Sequence, residues 1–405
     1  MCACSAYGAA RLEPRIREPW GEAPSKRIRP IPGANGTLGL QRNVTSAGSA
    51  RSLRGGVHIA SVGTALPKHS YDQEELLAAF MRVWGTQHHN PARVEQLHRA
   101  VQVGGRHLAL PMEAYEELRG FGDANRAFIE VATEVGEAAV RNALDQAGLG
   151  PKDVDAIYFT TVTGVAAPSI DARLVNRLGL RPDVKRLPLF GLGCVAGVAG
   201  TARVFDYLRA WPDQVALLLS VELCSLTLQR ADLSIPNLIA SGLFGDGSAA
   251  LVATGAQRAT QGPRVLATQS RFYPNTEQVM GWDIGDSGFK IVLSADVPAM
   301  VDRHLRADVD AFLNAHGLDR SNIGTWVCHT GGPKVLAAFE TSLELPDGAL
   351  ERSWTSLREV GNLSSASVLF VLADTLANAH PAPGSYGMMI AMGPGFCSEM
   401  VLLQW

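Results

Sequence analysis

No stretch of this 405-residue sequence approaches the roughly 20 consecutive apolar residues that would span a bilayer. The start of the chain has no basic segment leading into an apolar one, so nothing there reads as a secretory signal. Charge is sparse and nearly balanced, 36 Lys and Arg against 39 Asp and Glu, which argues against a basic nucleic-acid-binding body. Cysteine is scarce: six residues, at positions 2, 4, 194, 224, 328 and 397. No two of them show zinc-site spacing, and the opening Cys-Ala-Cys is one residue short of a C-x-x-C. A chain this long can bury a large core without a disulfide framework. Cys224 and Cys397 read as small buried hydrophobes. These absences point to a cytoplasmic protein with no membrane span, no metal and no nucleic-acid partner.

What is present is apolar material, 46% of the residues, enough for two domain-sized units. The charge is unevenly placed. Residues 1–54 hold nine Lys/Arg and three Asp/Glu, leaving 27 against 36 for the remainder. That first segment is rich in Gly, Pro, Ser and Arg and has no helical or strand period. Residues 1–55 therefore read as a disordered basic extension.

Order is expected from "VHIASVG" (57–63), a short strand, followed by a helix around 71–84. Residues 125–148 read as a long amphipathic helix, stopped by Gly148, Gly150 and Pro151. Strands follow at 156–164, 184–191 and 215–223, with a helix over 195–210 among them. That succession predicts a mostly parallel sheet covered on both faces. The second half repeats the plan: a strand over 323–330, a helix from Pro333, an apolar helix over 363–378, and strands at 386–393 and 397–404 joined by Pro394-Gly395. The pattern breaks at "TGAQRATQGPR", which divides the ordered chain into 56–258 and 259–405.

Three positions could carry chemistry. Cys194, in "GLGCVAGVAG", follows a strand and opens a helix of very small residues. A helix N-terminus lowers a thiol's pKa and favours the nucleophilic thiolate. The same stretch also fits a loose dinucleotide loop through Gly191, Gly193 and Ala196, with Glu222 at the end of the next strand, but at longer than the usual spacing. His329 ends a strand before Gly331-Gly332-Pro333, and by itself reads equally as a core histidine. Asn362 precedes an apolar helix and could simply cap it. In an open α/β sheet, however, all three strand-to-helix junctions fall at the edge where ligands bind. Cys194 lies in the first half and the other two in the second, so a cleft between the halves is expected.

Taken together, these motifs make the sequence resemble the type III polyketide synthases, the chalcone-synthase-like enzymes of the thiolase superfamily. "HTGGP" (329–333) resembles the family's H-x-G-G-P, "GNLSSAS" (361–367) its G-N-x-S-S-A, and Cys194 falls where the family has its nucleophile. "GPGF" resembles the family's loop beside the active site, which brings in Gly393, Pro394 and Gly395. "LFGDGSAAL" aligns Phe244 with a gatekeeper, "VELCSLT" places Thr227 on the cavity wall, and "GFKIVLSADVP" puts Ile291 where plant members have a second gatekeeper phenylalanine. "TGVAAPS" places Ala167 on the segment that reaches a partner's cavity.

The resemblance implies an α/β, thiolase-like duplicated αβαβα fold, a homodimer, and catalysis by Cys194, His329 and Asn362. It implies acyl-CoA and malonyl-CoA as substrates and no separate cofactor. Arg93, Arg99 and Arg106 are the basic residues available for CoA, in a segment that matches plant members poorly. Ile291 and Ala167 are smaller than their plant counterparts. "MGWDI" and "GFKIVLSADVP" resemble bacterial members making alkylresorcinols or alkylpyrones, so a fatty acyl starter is the expectation. The alternatives are a malonyl-CoA starter giving a tetrahydroxynaphthalene-like product, or a single condensation of the β-ketoacyl-ACP synthase III kind.

Overall fold

The structure is a computed structural model that describes residues 56–84, 90–258 and 261–405. The expected extension over 1–55 lies outside the described residues.

The elements run in the order β1 (Val57–Ala65), β2 (His69–Asp72), α1 (Gln73–Trp84), α2 (Pro91–Ala100), β3 (Gly105–Leu108), α3 (Phe121–Ala147), β4 (Ala156–Thr161), α4 (Ile170–Leu178), β5 (Lys185–Phe190), α5 (Ala196–Ala210), β6 (Val215–Leu223), α6 (Ile235–Leu243) and β7 (Asp246–Thr254). They continue with β8 (Arg264–Phe272), β9 (Met280–Gly285), β10 (Gly288–Leu293), α7 (Val297–Asn314), β11 (Ile323–Cys328), α8 (Pro333–Leu343), α9 (Glu351–Val360), α10 (Ser367–Asp374), β12 (Tyr386–Gly393) and β13 (Cys397–Gln404). The long helix starts earlier than its period suggests, at Phe121, and is closed by Gly148 in the left-handed conformation.

Nine strands form one sheet in the order β11-β12-β13-β8-β1-β7-β6-β4-β5. The order reads almost the same from both ends of its centre. β8, β13, β12 and β11 occupy the places that β1, β7, β6 and β4 occupy on the other side. The ladder directions repeat too: β4–β6 and β11–β12 are parallel, while β6–β7 and β12–β13 are antiparallel. The duplication read from the sequence is thus visible in the topology. The mostly parallel sheet is not: β1, β7, β8 and β13 pair antiparallel, and only β4–β5, β4–β6 and β11–β12 run parallel. The reason is physical. A strand buried on both faces is apolar throughout whichever way it runs, so its composition does not report its direction.

Side chains alternate across each strand and sort into layers. On β6, Ala216 and Leu218 join a core with α5 and α10, while Leu217 and Leu219 join one with α3 and α4. On β12, Met389 and Ala391 face the same central core, while Met388 and Ile390 face α7 and α8. The layers are therefore α3/α4, the β4–β7 side of the sheet, α5/α10, the β11–β13 side of the sheet, and α7/α8, the αβαβα stack. Each fully buried Leu or Ile contributes roughly 2 kcal/mol. The central helices touch closely because Gly197 has no side chain; a Cβ there would run into the Ser365 carbonyl and Val368 Cγ1. That contact brings the start of α5 against the start of α10, and so decides where the functional side chains meet.

Candidate active site

Cys194 lies in the single turn between β5 and α5, with its side chain 8% exposed. The turn holds Gly193 at φ +57, where an L side chain is strained. The "GPG" segment between β12 and β13 packs onto it. A Cβ on Gly193 would lie 2.6 Å from Pro394 Cδ, and one on Gly393 would lie 2.8 Å from the Val195 nitrogen. Asn362 sits between α9 and the turn into α10. Its main chain is anchored on both sides, Asn362 N–H donating to the Leu243 carbonyl at 2.9 Å and Gly245 N–H donating to its own carbonyl at 3.0 Å. His329 directly follows β11, its N–H donating to the Ile390 carbonyl at 2.9 Å.

The three side chains line one cavity of about 490 Å³ together with Ser364, Phe244, Ile291 and Pro394. Their separation in sequence is large, and the α5–α10 crossing brings two of the three elements together. The amide of Asn362 is oriented by its surroundings: Oδ1 accepts from Ser364 N–H at 2.8 Å and from Ser367 Oγ at 3.4 Å. Its NH₂ group is left to donate elsewhere. His329 is buried, and its Nδ1 has no partner among the described residues. Burial holds its pKa down at about 4, so the imidazole is neutral at pH 7.

The thiol departs from the expectation of a depressed pKa. Burial pushes Cys194 up to about 12, with the Ser364 hydrogen bond pulling down and Glu222 adding to the rise. Full desolvation outweighs the helix terminus, whose field is worth about 1 kcal/mol. The thiol donates to Ser364 Oγ at 3.7 Å.

Beneath the thiol lies Glu222, fully buried at the end of β6. Its carboxylate accepts from Val162 N–H at 3.1 Å, Thr163 Oγ1 at 3.0 Å and Ser365 Oγ, while Ser365 also bonds Ser220 Oγ at 2.7 Å. Burial raises the Glu222 pKa to about 7. Sequence reasoning weighed Glu222 only as the acid of a nucleotide loop and missed Ser364 and Ser365. The "SSA" of the helix start was the available signal for the two serines.

The other sequence-selected residues distribute as follows. Phe244 and Ile291 line this cavity and also a second one of about 530 Å³. Cys224 and Trp282 line both as well, Cys224 being buried as expected. Thr227 lines only the second, with its hydroxyl donating to the Cys224 carbonyl at 2.7 Å. Gly393 and Gly395 shape the loop that carries Pro394, Gly395 at φ +66. Ala167 is exposed, on a cis Ala167–Pro168 bond, and lines neither cavity of this chain. Arg93 is exposed and bonded to Gln96, and Arg99 bridges Glu74 and Glu95. Arg106 lies in the interior rather than at the surface where a CoA phosphate would meet it; the residue is 4% exposed. Cys397 is only partly buried, its thiol near the Pro394 carbonyl at 3.6 Å. Among the described residues no helix is long and apolar enough to cross a membrane.

Comparison with known proteins agrees with this geometry. Residues 44–257 match the chalcone and stilbene synthases' N-terminal domain, and residues 264–405 match their C-terminal domain. A 1,3,6,8-tetrahydroxynaphthalene synthase of Streptomyces peucetius subsp. caesius is 53% identical over 353 residues, covering 86% of this chain and 93% of that protein. A phloroglucinol synthase of Pseudomonas fluorescens is 30% identical, covering 84% and 96%. The crystal structure of the 1,3,6,8-tetrahydroxynaphthalene synthase of Streptomyces coelicolor superposes with a TM-score of 0.81 at 33% identity, covering 86% of this chain and 99% of that one. Two matched halves, a duplicated layered sheet and one cavity drawing on both halves leave a single assignment: the chain belongs to the chalcone and stilbene synthase family, the type III polyketide synthases, and is an acyltransferase of that kind.

Proposed function

We propose that the protein uses malonyl-CoA both to start and to extend a polyketide chain, and releases a 1,3,6,8-tetrahydroxynaphthalene-like product. The observation that carries the chemistry is the convergence of Cys194, His329 and Asn362 on one buried cavity. Support for the product comes from the 53% identity to the S. peucetius enzyme. A naphthalene skeleton oxygenated at alternate carbons is what head-to-tail joining of malonyl-derived two-carbon units yields.

In this reading His329, neutral at rest, takes the Cys194 proton as the sulfur attacks the thioester carbonyl of the incoming acyl-CoA. The CoA sulfur leaves with that proton, and the acyl group stays on Cys194. A second malonyl-CoA then loses CO₂, and the electrons of the broken C–C bond move onto its thioester oxygen. The Asn362 NH₂ and the His329 ring face that developing charge, each donor worth about 3 kcal/mol in such a site. The enolate carbon attacks the acyl-Cys194 carbonyl, which frees the thiolate and lengthens the chain. CoA thioesters are substrates here, and no further cofactor is invoked. The working unit is a homodimer, in which exposed Leu187 and Phe190 of β5 and the Val165–Ala167 loop meet the partner copy.

A fatty acyl starter is the second reading, favoured by the apolar wall that Leu76, Phe80, Leu108, Met112 and Leu228 give the cavity behind Phe244. Incubation with malonyl-CoA alone, and with malonyl-CoA plus a panel of acyl-CoAs, followed by mass spectrometry of the products, separates the two. No product from malonyl-CoA alone, with efficient alkylpyrone formation from fatty acyl-CoAs, would overturn the first reading. Replacement of Cys194 by Ala should abolish product and covalent acyl labelling alike.

A further inference from the structure

The cavity of about 530 Å³ behind Phe244 contains a feature that an alkyl chain does not need. Arg106 lies on its wall with its side chain almost wholly buried. Its Nη1 donates to the Ser241 carbonyl at 2.6 Å and to the Phe244 carbonyl at 2.8 Å. These bonds account for one nitrogen. Nε is buried and has no partner among the described residues. No described carboxylate forms an ion pair with the guanidinium, although 17 ion pairs are found among the described residues, nearly all at the surface. Asp246 is the nearest source of negative charge, but its oxygens are taken by Ala109 N–H at 2.6 Å, Ser225 N–H at 2.8 Å and the Ser225 hydroxyl.

A buried cation without a contacting anion is costly, by several kcal/mol in ordinary interiors. Burial lowers the Arg106 pKa to about 10, yet the group stays charged at pH 7. The wall around it offers further polar atoms: the Tyr115 and Ser225 hydroxyls, 2.5 Å apart, and the Ser241 hydroxyl. The cavity shares Cys224, Phe244, Trp282 and Ile291 with the one that holds Cys194. A chain growing on Cys194 therefore has its far end next to this space.

We propose that Arg106 is a specificity-determining residue that receives the carboxylate at the far end of the growing chain, and so selects a malonyl starter over an alkyl one. This rests on the malonyl-starter reading above. When malonyl is loaded as starter its thioester carbon bonds to Cys194, and its free carboxylate stays at the opposite end through the extensions, to leave as CO₂ when the naphthalene skeleton closes. A planar guanidinium matches a carboxylate through paired N–H donors. An alkyl starter ends in a methyl group and leaves the cation without a partner.

The test is competition between starters. Given malonyl-CoA together with pentanoyl-CoA, Arg106→Met should shift the ratio of malonyl-primed to pentanoyl-primed products toward the latter by roughly tenfold or more, the worth of a charged hydrogen bond. Arg106→Lys, which keeps the charge, should shift it less. An unchanged ratio in Arg106→Met overturns the proposal, since a residue needed only for folding would lower both products together. Should neither variant fold, the wild-type protein decides: glutaryl-CoA and pentanoyl-CoA have equal chain length and differ in the terminal carboxylate. Preferential extension of glutaryl-CoA is expected, and equal or poorer use of it overturns the assignment. Failure of the parent reading looks different, as absence of any product from malonyl-CoA alone.

Discussion

Gly193 and Pro394 meet face to face, so closely that a single methyl group on Gly193 would sit 2.6 Å from two ring carbons of the proline. The contact ties the turn that carries Cys194 to the β12–β13 loop. Gly193→Ala faces both this clash and a backbone at φ +57. The variant should lose about 1–3 kcal/mol of stability. Turnover should fall about a hundredfold, because displacing Cys194 by an ångström spoils its attack geometry. Urea unfolding and single-turnover acylation measure the two effects; near-normal acylation would show that the contact does not set the sulfur's position.

Ser364 is the hydroxyl that touches the Cys194 sulfur. Once the thiol ionises, that hydroxyl can turn and donate to the sulfur, which draws the thiol's pKa down against burial. Ser364→Ala should therefore raise that pKa further and slow alkylation by iodoacetamide at pH 8 by about threefold to tenfold. Equal or faster alkylation would assign Ser364 to packing alone.

Glu222 gives a pH signature. Its pKa in the folded protein is raised by burial to about 7, from 4.5. The folded state thus holds a proton that the unfolded state releases between those values. The stability linked to this group is fully present below pH 4.5 and is lost as pH rises through 7. Glu222→Gln does not titrate. The unfolding free energy of the wild type relative to this variant should fall by about 3 kcal/mol from pH 4.5 to 8.5. A pH-independent difference between the two proteins would show that the carboxyl stays in one protonation state throughout.

Phe244 stands between the two cavities. Phe244→Ala should join them and shift products toward larger or differently closed chains, visible as new masses. The Phe244 carbonyl that accepts from Arg106, and the bonds of Leu243 and Gly245 to Asn362, do not involve the ring, so the fold should persist. An unchanged product profile would mean that chain length is set elsewhere.

The proposed homodimer is checked by sedimentation. Leu187, 45% exposed on β5, should tolerate Asp in a monomer but not in a buried interface. The wild type should sediment as a dimer and Leu187→Asp should dissociate at micromolar concentration.

Much of this was legible in the sequence because glycine and proline mark where chains turn. The turns at Cys194 and His329 carry such residues, so their placement at strand-to-helix junctions could be read directly; Asn362, expected at such a junction too, instead joins two helices, because the segment before it is α9 and not a strand. β11, the start of α8, β12 and β13 emerged close to their observed limits for the same reason, whereas β8, β9, β10, α7 and α9 were not read. What escaped was set by contacts between distant segments. Ser365 reaches Glu222 across 143 residues, through a helix crossing that only Gly197 hints at. Arg106, beside two glycines and a histidine, looks like a surface residue locally; the packing of α6 and α9 over it makes it an interior one. Strand direction was also hidden, since apolar runs such as β6 and β7 are alike in composition and opposite in sense.

The two ends of the nine-stranded sheet are not alike. β11 is mostly buried at one end, while at the other β5 is exposed along nearly its whole length and has no counterpart in the second half. Its Pro188 removes one donor, but the strand still offers main-chain groups on its free side and the apolar side chains of Leu187 and Phe190. A molecule with two such rims could add copies at both and grow without limit. With one, copies that join rim to rim use up the only site each has, and growth stops at a pair. In the homodimer proposed above, the unmatched fifth strand would thus limit how many molecules a single assembly can contain.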